Sequence, residues 1–139
     1  MSRNVAVVIP AFNTAETIAS TIQSALQPEV EQIIVVDDGS TDGTAAIMRE
    51  IVGSTPQVQA VFRSTSGGPA QARNDGLAAT TSEFVLFLDS DDVLLPNAIA
   101  ALQRAMKPTS SAVLGRFVAV DMLDRPVDIG TWSNVQLQP

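Results

Sequence analysis

In the stretch FVLFLDSDD, five apolar residues from Phe84 to Leu88 run directly into Asp89, Asp91 and Asp92. Carboxylates gathered at the end of a buried strand repel one another, which costs stability unless a positive charge belongs beside them. A second acidic group, Asp37 and Asp38 with Asp42 close behind, follows the apolar run Ile33–Val36 in IIVVDDGSTDGT. The chain has no cysteine and no histidine. That excludes thiolate or imidazole metal sites, a cysteine nucleophile and a serine–histidine hydrolase. Any metal must be held by oxygen ligands, which selects magnesium, manganese or calcium.

Each cluster also has a plain structural reading. Gly39, Ser40 and Asp42 suit a turn and a helix cap, but they leave Asp37 and Asp38 side by side at the end of a buried strand. One of these carboxylates can accept a hydrogen bond from a nucleobase N–H, held ionised by a nearby helix N-terminus. In LDSDD, Asp91 or Asp92 can serve as a turn residue before LLPNA, yet that does not require three acids. A divalent cation bridging them to a diphosphate accounts for all three, because such ions are commonly held by one or two carboxylates plus phosphate oxygens. A third stretch, TSGGPAQARNDG, is a glycine pair entering a helix with Pro69 in its first turn. It could offer backbone N–H groups and Arg73 to a phosphate or sugar. It is neither a G-x-G-x-x-G fingerprint nor a phosphate-loop motif, and Lys107 is the only lysine in the chain.

The elements that must position these residues follow from hydrophobic patterning. Apolar runs recur at Val5–Ile9, Ile33–Val36, Val58–Phe62, Phe84–Leu88 and Ala112–Val120, the last interrupted by Gly115 and Arg116. The first four read as strands buried on both faces. Helical spacing joins Ile18, Ile22 and Leu26; Ile47 and Ile51; and Ile99, Leu102 and Met106. Asn13 or Thr14 is the expected start of the first helix, with Glu16 in its first turn, and Asp42 of the second. Pro28, Gly53 and Pro108 are the expected stops. Strand–helix alternation predicts an α/β domain with a mostly parallel sheet and helices on both faces. Ligands in such sheets bind at the carboxyl ends of the strands where strand order reverses. Both acidic clusters and the PAFN turn fall at such ends.

At 139 residues, 45 % hydrophobic and 17 % charged, the chain is expected to form one globular domain. Its net charge of −7 argues against a nucleic-acid partner. No apolar run reaches the roughly 18 residues that span a bilayer, and no cleavage site follows the N-terminal apolar stretch. The expected location is cytoplasmic, with the inner face of the membrane as a peripheral alternative. After Asp121 the helical pattern is lost, and residues 122–139 read as a loop or short hairpin. Exposed apolar surface at that end is expected to favour a homo-oligomer.

In this order and spacing, the motifs resemble those of the family 2 glycosyltransferases, whose catalytic domain has the GT-A fold. VAVVIPAFNTAETI is similar to that family's opening strand and nucleotide-binding turn, and IIVVDDGSTDGT to its second strand. GGPAQARNDGL is similar to the glycine-rich loop and helix, and FVLFLDSDD to the aspartate motif. The match covers residues 5–96. The resemblance implies that Phe12 places a ring near the base while Pro10 and Ala11 offer backbone contacts. Asp38 would bond a pyrimidine, with Asp37 beside it. Gly68 would face the nucleotide, and Arg73 is the arginine of the ARN element. Asp89 and Asp91 form the D-x-D pair, and Asp91 with Asp92 would hold Mn²⁺ or Mg²⁺ against the diphosphate of a nucleotide sugar, UDP-linked by expectation.

The implied reaction is sugar transfer to an acceptor hydroxyl with inversion, which needs a general base. Asp121, Asp124 and Asp128 occupy no recognisable version of that base's motif and read as solvated loop acids. The base is expected beyond Pro139. Residues 1–121 are then the nucleotide-sugar-binding region, and 122–139 open an acceptor-side region. The acceptor, whether saccharide, lipid or protein, is not legible. Two rival functions fit parts of the sequence. A haloacid-dehalogenase-like phosphatase would use Asp89 as nucleophile and Asp91 as acid, but its motif belongs on an early strand and leaves VVDDGSTDGT unexplained. A non-catalytic nucleotide-binding module on the same fold is the other.

Overall fold

The computed structural model describes residues 4–109, 111–113, 115, 118–120 and 123–127. It divides into two compact units, Met1–Ala105 and Met106–Pro139. The first contains β1 (Val5–Ala11), α1 (Ile18–Ala25), β2 (Val30–Asp37), α2 (Thr44–Ser54), β3 (Val58–Phe62), α3 (Pro69–Ala79), β4 (Phe84–Phe87) and α4 (Ala98–Ala105). All strand pairings in the sheet are parallel and the order is β3-β2-β1-β4.

Burial explains that order. Strand β1 is buried along its whole length and β2 nearly so, as continuous valine and isoleucine runs require when both faces are covered. On one face, Val7, Ile9, Ile33 and Val35 pack with Ile18 and Ile22 of α1, Met48 of α2 and Ile99 of α4. On the other, Val8, Ile34 and Val36 pack with Ala72 of α3. Helices therefore cover both faces, as expected. Helix α3 lies directly on the sheet because Gly76 has no side chain. A Cβ there would come within 2.3 Å of Val8 Cγ1 and 3.3 Å of Val36 Cγ2.

Several sequence expectations are corrected. Strands β3 and β4 are only partly buried, because they form the two edges of the sheet. Helix α1 starts at Ile18 after Thr17 rather than at Asn13 or Thr14, since Asn13 adopts a left-handed conformation with φ 51°. Gly53 lies inside the last turn of α2, whereas Pro28 and Pro108 do fall beyond helix ends. Met106 lies past the end of α4. In the second unit, the described residues of the fifth apolar run form no strand beyond an isolated antiparallel bridge between Val120 and Pro126. Val127 N donates to Ala119 O at 2.9 Å across it, a hairpin-like closure. Asp124 is exposed there, with φ 57°. Asp121 and Asp128 lie outside the described residues.

Candidate functional site

The chain runs outward from β1 to β2 to β3 and then returns to place β4 on the other side of β1. Strand order reverses between β1 and β4, and ligand crevices form at such a point. A cleft of about 490 Å³ opens there. Pro10, Ala11 and Phe12 line it from the end of β1, Asp38 from the end of β2, Gly68 and Arg73 from the start of α3, and Asp89 and Asp91 from the turn after β4. Eight of the ten residues expected to bind nucleotide or metal thus share one cavity. Asp37 and Asp92 do not line it.

The turn after β1 is stitched to the turn after β2. Asn13 Oδ1 accepts from Thr41 N at 2.9 Å, and Ser40 Oγ accepts from Asn13 N at 2.9 Å. Thr44 Oγ1 accepts from Thr14 N at 2.9 Å. Asn13 is therefore a tie between loops rather than a helix cap. Its short amide tolerates the left-handed backbone needed to reach across. Asp42 lies one residue before Gly43, the N-cap of α2, yet still serves the helix start: Oδ1 accepts from Thr44 N at 2.8 Å and Oδ2 from Ala15 N at 3.2 Å. Its carboxyl is held below the usual value, chiefly by the bonds from Thr44.

Asp38 is 3 % exposed, and its carboxylate is engaged by the glycine loop. Ser66 Oγ donates to Oδ2 at 2.7 Å and Gly68 N at 2.8 Å, while Gly67 N is shared between both oxygens at 3.0 and 3.1 Å. Arg63 Nε sits 2.8 Å from Oδ1 as an ion pair, its N–H not aligned for a hydrogen bond. Burial alone would raise this carboxyl's pKa. The bonds from Gly67, Ser66 and Gly68, with the Arg63 charge, outweigh burial and hold it low. Arg63 also reaches Asp75 and Gln71 on α3, so one guanidinium ties the strand end, the loop and the helix together. The sequence reading missed Arg63, whose only signal was a lone cation after β3. Gly68, with φ +89° and nothing within 4 Å of a would-be Cβ, turns its bare backbone toward open space. Asp37 faces its own turn instead, accepting from Ser40 N at 3.3 Å.

The turn after β4 is arranged differently. Asp92 N donates to Asp89 O at 3.0 Å and closes the turn. Asp89 pairs with Arg73 at 2.5 Å. Among the described residues, no cation pairs with Asp91 or Asp92. Burial first, then the charges of Asp91 and Asp89, push the Asp92 carboxyl above its usual value. No group of three acids among the described residues could hold a metal ion by itself. Asp91, which lacks a protein cation and borders the open cleft, with Asp92 one residue on, is nonetheless a suitable donor set for Mg²⁺ or Mn²⁺, which complete their shell with phosphate oxygens.

The fold and site together define an α/β domain of the GT-A type, with an acidic turn beside its cleft. The chain belongs to glycosyl transferase family 2, whose model matches residues 6–133. It is 31 % identical over 127 residues to the glycosyltransferase GlyG of Streptococcus pneumoniae, covering 89 % of this chain and 42 % of that protein. It is 31 % identical to TarS 1–349 of S. aureus in complex with UDP-GlcNAc, with a TM-score of 0.65, covering 73 % of this chain and 30 % of that one. The mannosyltransferase PcManGT of Pyrobaculum calidifontis, in complex with GDP-Man and Mn²⁺, is 28 % identical with a TM-score of 0.68, covering 76 % of this chain and 33 % of that one. The chain therefore spans less than half the length of each of these proteins. The family match replaces the dehalogenase-like alternative, and the D-S-D turn follows the fourth strand rather than an early one. No helix among the described residues is long and apolar enough to cross a membrane.

Proposed function

We propose that this chain is the donor-binding half of an inverting glycosyltransferase that takes its sugar from a nucleotide diphosphate, with UDP as the nucleotide. One observation carries the reading: a single cleft at the strand-order reversal gathers the ring of Phe12, the carboxylate of Asp38, the guanidinium of Arg73 and the acids Asp89 and Asp91. The solved neighbour in complex with UDP-GlcNAc supports UDP.

In this reading the base lies against Phe12, half exposed at the cleft rim, over the backbone of Pro10 and Ala11. Asp38 accepts a base N–H by displacing the shared Gly67 N–H, the donor whose bond is split between two oxygens. Asp37 supports it through the Ser40 turn. Gly68 lets the backbone approach the nucleotide, and Arg73 moves from Asp89 toward the diphosphate as a charged donor. Asp91, with Asp92, holds Mn²⁺ or Mg²⁺; such an ion supplies charge neutralisation for the departing diphosphate. The neighbour in complex with GDP-Man and Mn²⁺ supports the metal. Residues 122–139 open the acceptor-side region, and the location is cytoplasmic, with the inner face of the membrane as the peripheral alternative.

The test is calorimetric titration of the chain with UDP, GDP and dTDP, with and without Mn²⁺. Tighter UDP binding with metal, lost in Asp91→Ala, supports the reading. No heat with any of the three overturns it. Binding without sugar transfer by the full-length protein favours the non-catalytic module.

A further inference from the structure

We infer that Thr17 and Thr21 are positioning residues for the acidic turn, holding its backbone so that Asp91 faces the cleft. The inference rests on the functional reading above and concerns residues which that reading does not use. Thr21 is completely buried and lies inside α1, where threonine is a mediocre helix former. A hydroxyl buried there is costly unless bonded. Its partner is remote in sequence: Thr21 Oγ1 donates to Ser90 O at 2.9 Å, and Thr17 Oγ1 donates to the same oxygen at 2.8 Å. Two hydroxyls one helical turn apart thus fill both lone pairs of one carbonyl.

That carbonyl belongs to the residue between Asp89 and Asp91. Ser90 is itself buried, 7 % exposed, while the acids on either side of it are exposed. With Ser90 O anchored beneath and Asp92 N bonded to Asp89 O above, the peptide leading into Asp91 has little freedom to rotate. The same face of α1 also holds the segment that follows the acidic turn, away from the acids. Ser24 Oγ accepts from Leu94 N at 3.0 Å. Gln27, just past the helix, donates to Leu95 O at 2.9 Å and accepts from Ile99 N at 3.2 Å. A polar stripe at residues 17, 21, 24 and 27 therefore runs alongside the segment from the acids to the start of α4. Threonines merely satisfying their own hydroxyls need not converge on one oxygen. These two do, at the point that orients the D-S-D pair.

The experiment measures capture of free Mn²⁺ in the presence of UDP, read from the loss of the aqueous Mn²⁺ electron paramagnetic signal, on the 139-residue chain. Unfolding midpoints are taken alongside. Thr21→Val is expected to weaken capture about tenfold, as loss of a group supporting metal ligands does, and Thr21→Ser to return it to within about twofold by restoring the bond. Ser24→Ala, on the same stripe but tied to Leu94, is expected to lower the unfolding midpoint and leave capture unchanged. Should Thr21→Val not fold, Thr17→Val at its partly exposed site carries the comparison. Variants that lose stability but capture Mn²⁺ as the wild type does would overturn the inference while leaving the functional reading intact. A wild-type chain that captures no Mn²⁺ with UDP would overturn both.

Discussion

Asp38 and Asp91 stand beyond the ends of β2 and β4, the two strands that flank β1, and both border the same cleft. Asp38 is buried, ion-paired to Arg63 and saturated with donors from its own loop, and its carboxyl is held below the usual value. Asp91 is exposed, has no cation partner among the described residues, and helps to push its neighbour Asp92 the other way. The fold itself neutralises Asp38 with Arg63 and Asp89 with Arg73, and among the described residues it leaves Asp91 and Asp92 without a cation. The first acid is therefore held by the architecture before any ligand arrives, whereas the second is an electrostatic deficit that a ligand can fill.

The sharpest break in this comparison is in stability. Asp38→Asn leaves the partly buried Arg63 with Asp75 alone as counter-charge and keeps a single acceptor oxygen for three loop donors. The expected loss is about 3 kcal/mol, read from denaturant unfolding. Asp91→Ala in metal-free buffer is expected to change stability by less than about 0.5 kcal/mol. Equal losses would erase the distinction. Gly68→Ala tests the loop that Asp38 holds. Its φ of +89° penalises any side chain, and a destabilisation of about 1 kcal/mol is expected.

The smallest effect separates the clusters by the sign of their pH response. Asp38 titrates below the unperturbed 3.8 in the folded chain. Its stabilising contribution is complete above that value and is lost as pH falls through the lowered folded pKa. Asp92 titrates above 3.8. Its contribution is complete below that value and is lost as pH rises through the raised folded pKa. Unfolding midpoints followed from pH 7 downward should therefore show Asp92→Asn gaining slightly on the wild type at neutral pH, with the gain vanishing in acid. Asp38→Asn should show the opposite, a deficit at neutral pH that narrows in acid.

The parts legible in the sequence were those governed by local pattern. Continuous runs such as Val5–Ile9 and Ile33–Val36 announce buried strands because both faces are covered, and the Asp, Gly and Pro signals after them mark the edge where the cleft opens. What could not be read depended on partners distant along the chain. That β3 and β4 would be edge strands depends on sheet order. That Asn13 would tie to Thr41, and Arg63 to Asp38 and Asp75, depends on which loops the fold brings together. Thr17 and Thr21 carry no signal of their own beside Ile18 and Ile22. Their hydroxyls acquire meaning only once Ser90, some seventy residues later, is placed above them.

The most direct test of the central claim is thermal unfolding of the wild type in EDTA and in Mn²⁺ with UDP, beside Asp91→Ala under the same conditions. With ligand at about 100 times its dissociation constant, binding to the folded state adds about 2.7 kcal/mol, or about 8 °C for a chain of this size. The account predicts that rise for the wild type with both metal and nucleotide, and little or none for Asp91→Ala. An unmoved wild type, or an equal rise in the variant, would contradict it.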